Sequence, residues 1–212
     1  MDARSYPAKG TPKSLRTRAR ILDAAMNLFV EVGYHAATNA VIADAAKLTR
    51  GAMLYHFATR EELVEAAISH IELERARLFD RAASTPPGRG IDAAEHAIDV
   101  YWALLHEAPF LAFTELEAAA RTDGMLRERL AAAQSAFDHA QVGGDRIGAL
   151  VQAGADPRFQ ASRDLGRVLL EGLAHGSRTY DVEARRERLL AIVKRAVRML
   201  NRKGDVQDLW ED

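Results

Sequence analysis

Apolar residues recur along this chain at intervals of three and four, and such stripes predict an all-α protein. The first stripe runs through Leu15, Ile21, Leu22, Ala25, Leu28, Phe29 and Val32. Thr11 followed by Pro12 supplies its start, as N-cap and first helical residue. Gly33 predicts its end, as an αL cap. Thr38 caps a short second helix that reaches Ala46. Lys47 and Leu48 make a tight turn, and Thr49 caps a third helix over residues 50–57. Thr59, with Glu62 three residues later, forms a capping box at the head of a fourth helix that extends to Ala83.

Residues 84–90, Ser-Thr-Pro-Pro-Gly-Arg-Gly, make the clearest break in the chain. Beyond them the pattern predicts five more helical segments, about 91–107, 109–121, 125–153, 158–180 and 182–203, for about nine helices in all. Gly143-Gly144 marks a break or kink in the longest. The chain therefore reads as a disordered tail (1–10), a helix-turn-helix domain (11–60), a connecting helix (61–83) and a C-terminal helical domain (91–203). β-branched runs bounded by turn signals are absent, which argues against strands.

Composition narrows the function classes. The 212 residues include no cysteine, so disulfides, thiolate metal sites and thiol nucleophiles are excluded. No apolar run approaches the roughly 20 residues of a membrane span, and the polar N-terminus lacks the apolar core of a secretory signal. A cytoplasmic protein is expected. The net charge of −1 is unevenly spread: residues 1–60 hold nine Lys/Arg against four Asp/Glu, and the remainder is acidic. A basic head on an acidic body is either the footprint of a polyanion partner or a solvated basic tail.

Two short helices joined by a tight turn behind a longer amphipathic helix form a helix-turn-helix candidate, whose second helix would enter the DNA major groove. Val41, Ile42, Ala45, Leu48 and Met53 are expected to face inward, and Met53 and Phe57 read as core. Arg50 can donate twice to a guanine edge. Gly51 and Ala52 let the backbone approach the bases, and the Ala52 methyl can meet a thymine methyl. Thr38, Asn39, Thr49, Tyr55 and His56 can donate to phosphate oxygens. Arg60 lies in the first turn of the fourth helix, where free amides favour an anion.

From Arg20 to Leu63 the chain resembles the DNA-binding domain of the TetR family. The resemblance is carried by Ile21-Leu22-Asp23-Ala24-Ala25, Leu28-Phe29, Gly33-Tyr34, Thr38, Ile42-Ala43, Ala46, Thr49-Arg50-Gly51-Ala52, His56-Phe57 and Arg60-Glu61-Glu62-Leu63. It implies that the third helix reads operator bases and that Thr38, Tyr55, His56 and Arg60 hold phosphates. It also implies a C-terminal domain that binds a small molecule, dimerises through its last two helices and releases DNA on binding. Two positions depart from the family pattern: Lys47 replaces the usual turn glycine, and Leu54 replaces a common tyrosine. Leu54 can then contact a thymine methyl, or Tyr55 can take over the phosphate.

The C-terminal domain carries no motif with chemistry of its own. Tyr101, Trp102, Phe110, Phe113 and Phe137 can line an apolar pocket or pack a core. His106, Glu117, Arg121, His139, His175 and Arg178 are candidates for its polar floor. For the dimer interface, Leu165, Val168, Leu169, Gly172, Leu173 and Gly176 form one face, and Leu189, Ile192, Val193, Ala196, Val197 and Leu200 another. The expected function is a homodimeric transcriptional regulator, a repressor released from a palindromic operator by a small-molecule effector, with no cofactor and no metal. The alternative is an all-helical dimeric scaffold or enzyme. A di-iron bundle would need Glu-x-x-His pairs that the chain lacks, and Asp92 with His96, four apart, is a single pair that could share a metal.

Overall fold

The computed structural model describes residues 11–137, 157–176 and 183–201, which form helices joined by loops, with no strand among them. The elements are α1 (Pro12–Val32), α2 (Asn39–Ala45), α3 (Arg50–His56), α4 (Arg60–Ala83), α5 (Ala93–Leu104), α6 (Ala108–Ala120), α7 (Gly124–Phe137), α8 (Pro157–Gly176) and α9 (Glu183–Asn201). The expected kink at Gly143-Gly144 lies outside the described residues. No described helix is long and apolar enough to cross a membrane.

Packing divides the chain into two units. The first holds the described residues up to Glu72 together with Leu111–Ala133, and the second holds Leu73–Phe110 together with the described residues from Gln134 onward. The loop at 84–90 thus lies inside the second unit, and most of α6 and α7 belongs to the first. Sequence ranges alone do not foresee this, because contacts made far along the chain leave no local mark.

The core of the first unit joins Ile21, Ala25 and Phe29 of α1, Ile42 and Ala46 around α2, Met53 and Phe57 around α3, and Leu63, Ala67 and Ile71 of α4. Ala112, Phe113, Leu116 and Ala120 of α6 and Leu126, Leu130 and Ala133 of α7 complete it. The core of the second unit joins Phe79, Ile98, Leu104, Phe110, Phe137, Leu170, Val193 and Val197.

The helix ends follow local chemistry. Thr11, Thr38 and Thr49 each accept a hydrogen bond from the amide three residues on, at 3.3, 3.4 and 3.2 Å. Thr59 accepts from the Glu62 amide at 3.1 Å, while the Glu62 carboxylate accepts from the Ala58 amide at 2.9 Å. The reciprocal bond therefore falls one residue before the position a capping box usually satisfies. Gly33 ends α1 at φ 82 and ψ 164, an extended positive-φ conformation and not the expected αL cap. That region is essentially restricted to glycine.

Candidate nucleic-acid interface

The first unit presents two short helices against the long α1. After α2, the Lys47 amide donates to the Asp44 carbonyl and the Leu48 amide to the Ala43 carbonyl, both at 2.9 Å. This is a Schellman closure, in which the C′ residue takes a left-handed conformation. Lys47 does so, at φ 55, where the family pattern has glycine. The turn is therefore made by hydrogen bonds and by the half-buried Leu48, at the expense of some backbone strain at Lys47.

Two expected inward positions face out. Val41 and Ala45 are exposed, while Ile42, Ala43 and Ala46 are buried. In a seven-residue helix a single strip about 100° wide can reach the core. Ile42, Ala43 and Ala46 occupy it, and Val41 and Ala45, four apart, lie on the next strip.

The helix α3 is held on one side by Met53 and at its end by Phe57, both 1% exposed. Its other side is open. Arg50 and Gly51 are exposed, Ala52 is half-buried, Leu54 is 41% exposed and Tyr55 is 84% exposed. His56 is half-buried at the C-terminal end, its ring edge-on to Tyr55 with centroids 5.3 Å apart. Desolvation, and then the charge of Arg18, hold His56 below its ordinary pKa. Thr38 and Thr49 are exposed N-caps. Capping uses their oxygen as acceptor and leaves the hydroxyl proton to donate, so capping and a phosphate contact are compatible.

Arg60 is placed differently from the expectation. Its guanidinium turns back into the head, donating to the Ala37 carbonyl at 2.7 Å and the Tyr34 carbonyl at 3.1 Å, with Asn39 Oδ1 at 3.5 Å. Burial lowers its pKa, opposed by Tyr34 and Glu61. It braces the α1–α2 connection, because two carbonyls without helical partners need donors there. Asn39 shares in that brace.

Sequence reasoning passed over Arg18, an exposed residue of α1. Its guanidinium carbon lies 4.0 Å over the Phe57 ring, and it donates to the His56 carbonyl at 2.9 Å. A separation of 38 residues hides this contact from any local pattern.

The expected effector residues are not gathered in one place within either unit. Phe113 is core of the first unit, where Glu117 and Arg121 are exposed. In the second unit Trp102 is half-buried, with His106 edge-on to it at 4.7 Å, and both His106 and His175 are exposed. His139 and Arg178 lie outside the described residues. Burial does gather an aromatic cluster in the second unit. Arg75, 3% exposed, lies 4.3 and 5.0 Å from the Phe137 and Phe110 ring centres and donates to Gln134 at 3.1 Å. Nearby in the same unit, Tyr101 donates to Glu171 at 2.7 Å, and Arg167 bonds the same carboxylate oxygen at 2.8 Å. Burial and then Glu171 raise the Tyr101 pKa, so the phenol keeps its proton.

Asp92 and His96 have structural roles: Asp92 caps α5, and His96 Nε2 lies 2.9 Å from the Thr85 carbonyl. Among the described residues no group of three His, Asp or Glu could hold a metal ion.

The interface residues expected on α8 and α9 differ in exposure. Val193 and Val197 are buried within the second unit. Leu165, Val168, Leu169, Gly172, Leu189 and Ile192 are exposed, and Leu173 and Gly176 half-buried. Gly166 is a point of close approach between α8 and α9, where a Cβ would lie 3.3 Å from Val197.

Residues 21–67 match the model of the tetR family of bacterial regulatory proteins. The transcriptional regulator UidR of Escherichia coli K12 is 34% identical over 92 residues, which are 43% of this chain and 44% of UidR. The chain thus spans less than half the length of this curated relative. A TetR-family member from Streptomyces coelicolor A3 has the same fold, with a TM-score of 0.60 and 24% identity, covering 85% of this chain and 97% of that one. So does the multidrug binding protein EbrR, solved in complex with imidazole, with a TM-score of 0.56 and 24% identity, covering 84% of this chain and 93% of EbrR.

Proposed function

We propose that this chain, whose head matches the model of the tetR family of bacterial regulatory proteins, is a homodimeric transcriptional regulator, a repressor that leaves a near-palindromic operator when a small molecule binds. The observation that carries the reading is α3. It is capped by Thr49 and anchored by Met53 and Phe57, and it leaves Arg50, Gly51, Leu54 and Tyr55 open to solvent. A helix held on one side and bare on the other is what a major groove accepts.

Placement on the open side of the head supports the following roles. Arg50 reads a guanine edge, and Leu54 and Ala52 contact thymine methyls. Thr38, Thr49, Tyr55 and His56 donate to phosphates. Arg60 and Asn39 brace the head. The exposed apolar residues Leu165, Val168 and Leu169 of α8 and Leu189 and Ile192 of α9 support pairing with a second copy. Such a dimer carries two reading helices about 34–36 Å apart, or a multiple of that spacing.

The effector reading belongs to the second unit. EbrR, solved with imidazole bound, supports it, and Arg75 places a buried cation beside Phe110 and Phe137 in that unit. The protein then works in the cytoplasm, without cofactor and without an enzymatic step.

The test is selection of duplexes from a random-sequence pool by the purified protein, followed by sequencing. Two inverted half-sites and a steep loss of binding with added salt are expected. No enrichment over the starting pool would overturn the reading. A thermal-shift screen, followed by competition on the selected duplex, tests for the effector.

A further inference from the structure

We propose that Arg18 is a positioning residue for DNA recognition: it clamps the C-terminal end of the reading helix α3 and so sets the angle at which Arg50 and Tyr55 meet the groove. This inference rests on the DNA-binding reading of the head.

The helix α3 spans Arg50–His56, about two turns. A helix of that length does not hold itself in water, so its pose depends on what it is tied to. At the N-terminal end it is tied by the Thr49 cap and the Schellman turn. Along its length Met53 is buried. At the C-terminal end the last carbonyls have no helical partner, and the His56 carbonyl receives its donor from Arg18 at 2.9 Å. The carbon of the same guanidinium lies over Phe57, 4.0 Å from the ring centre.

One planar cation thus holds both the last backbone acceptor of α3 and the side chain that anchors the helix end. A cation at a helix C-terminus is also favoured by the helix dipole. Glu62, in the first turn of α4, attracts the same guanidinium, which places Arg18 where α1, α3 and α4 converge. With the N-terminal end held at the turn, release of the other end lets α3 pivot about Thr49. A shift of about 1 Å at the base edges is enough to break bidentate hydrogen bonds.

Lysine cannot reproduce this contact, because its ammonium is a point charge without a stacking face. The experiment therefore compares wild type, Arg18→Lys, Arg18→Ala and Phe57→Leu, each as full chain. The probes are a duplex selected by wild type and a scrambled duplex of equal length, over a range of salt. Arg18→Lys and Phe57→Leu are expected to lose about tenfold of the ratio between selected and scrambled binding, the scale of one compromised base contact. Their scrambled-duplex affinity and salt slope should match wild type.

Wild-type discrimination in Arg18→Lys would overturn the proposal, since charge alone would then suffice. Equal losses on both duplexes in Arg18→Ala, with a salt slope lower by about one, would also overturn it by making Arg18 a phosphate contact. Should Arg18→Ala not fold, Arg18→Lys decides. If wild type itself selects no duplex, the DNA-binding reading fails before this one is reached.

Discussion

Arg60 and Tyr34 are joined twice: the guanidinium donates to the Tyr34 carbonyl at 3.1 Å and lies 5.2 Å over the Tyr34 ring. A third tie, to the Ala37 carbonyl at 2.7 Å, closes the connection between α1 and α2. Hydrogen bonds from a charged donor contribute about 1.5–3 kcal/mol. Arg60→Ala should therefore lower stability by about that amount in urea denaturation. Arg60→Lys should recover little of it, because the ammonium cannot span both carbonyls. A variant as stable as wild type, with a reduced salt slope on DNA, would return Arg60 to phosphate contact.

Arg50 lies at the first position of α3 with its side chain in solvent. Arg50→Ala should weaken binding to the selected duplex by about 1–3 kcal/mol and relax preference at one base pair per half-site. Unfolding and dimer mass should not change. Equal affinity and preference in a repeat selection would reject α3 as the reading helix.

The strain at Lys47 is open to direct measurement. Its φ of 55 costs a side-chain-bearing residue about 1–2 kcal/mol, partly offset by the greater entropy glycine has in the unfolded chain. Lys47→Gly should raise stability by up to about 1 kcal/mol, whereas Lys47→Val should lower it, since β-branched residues tolerate positive φ least. The urea midpoints of the two variants should fall on opposite sides of wild type.

His56 ties stability to acidity. Its native pKa lies below the ordinary 6.5, through desolvation and then Arg18. Between the depressed value and 6.5 the unfolded chain binds more protons than the native one, so stability rises with pH across that window. His56→Gln should flatten this part of the pH–stability curve and leave the curve unchanged above about pH 7.5. An unaltered slope below the ordinary imidazole range would show that the ring titrates freely.

Val168 is 65% exposed on α8, beside exposed Leu165 and Leu169. Val168→Glu should split the proposed dimer into single chains in sedimentation velocity and reduce affinity for a two-half-site duplex by at least tenfold. Half-site binding should change little. An unaltered sedimenting mass would place the interface elsewhere.

Much of the architecture is legible along the chain, because caps and apolar periodicity act over one or two turns. Thr11, Thr38, Thr49 and Thr59 announce four helix starts by themselves, and the series from Ile21 to Leu63 points to the head. Periodicity fails where a helix is too short to average its phase. In α2 it cannot decide between the strip of Val41 and Ala45 and that of Ile42 and Ala46.

What a side chain does with its charge is set by neighbours distant in sequence, and only the tertiary structure decides it. In sequence Arg60 reads as a phosphate contact and Arg18 as one basic residue among nine, until Tyr34 and His56 are brought beside them, 26 and 38 residues away. Phe113 and Trp102 read alike as pocket aromatics until packing puts Phe113 in the first core and Trp102 against the second. Local patterns determine which segments coil and which face is apolar, since those energies arise within a few residues. Which face meets which partner depends on the folded chain, because burial and long-range hydrogen bonds exist only once distant segments share one space.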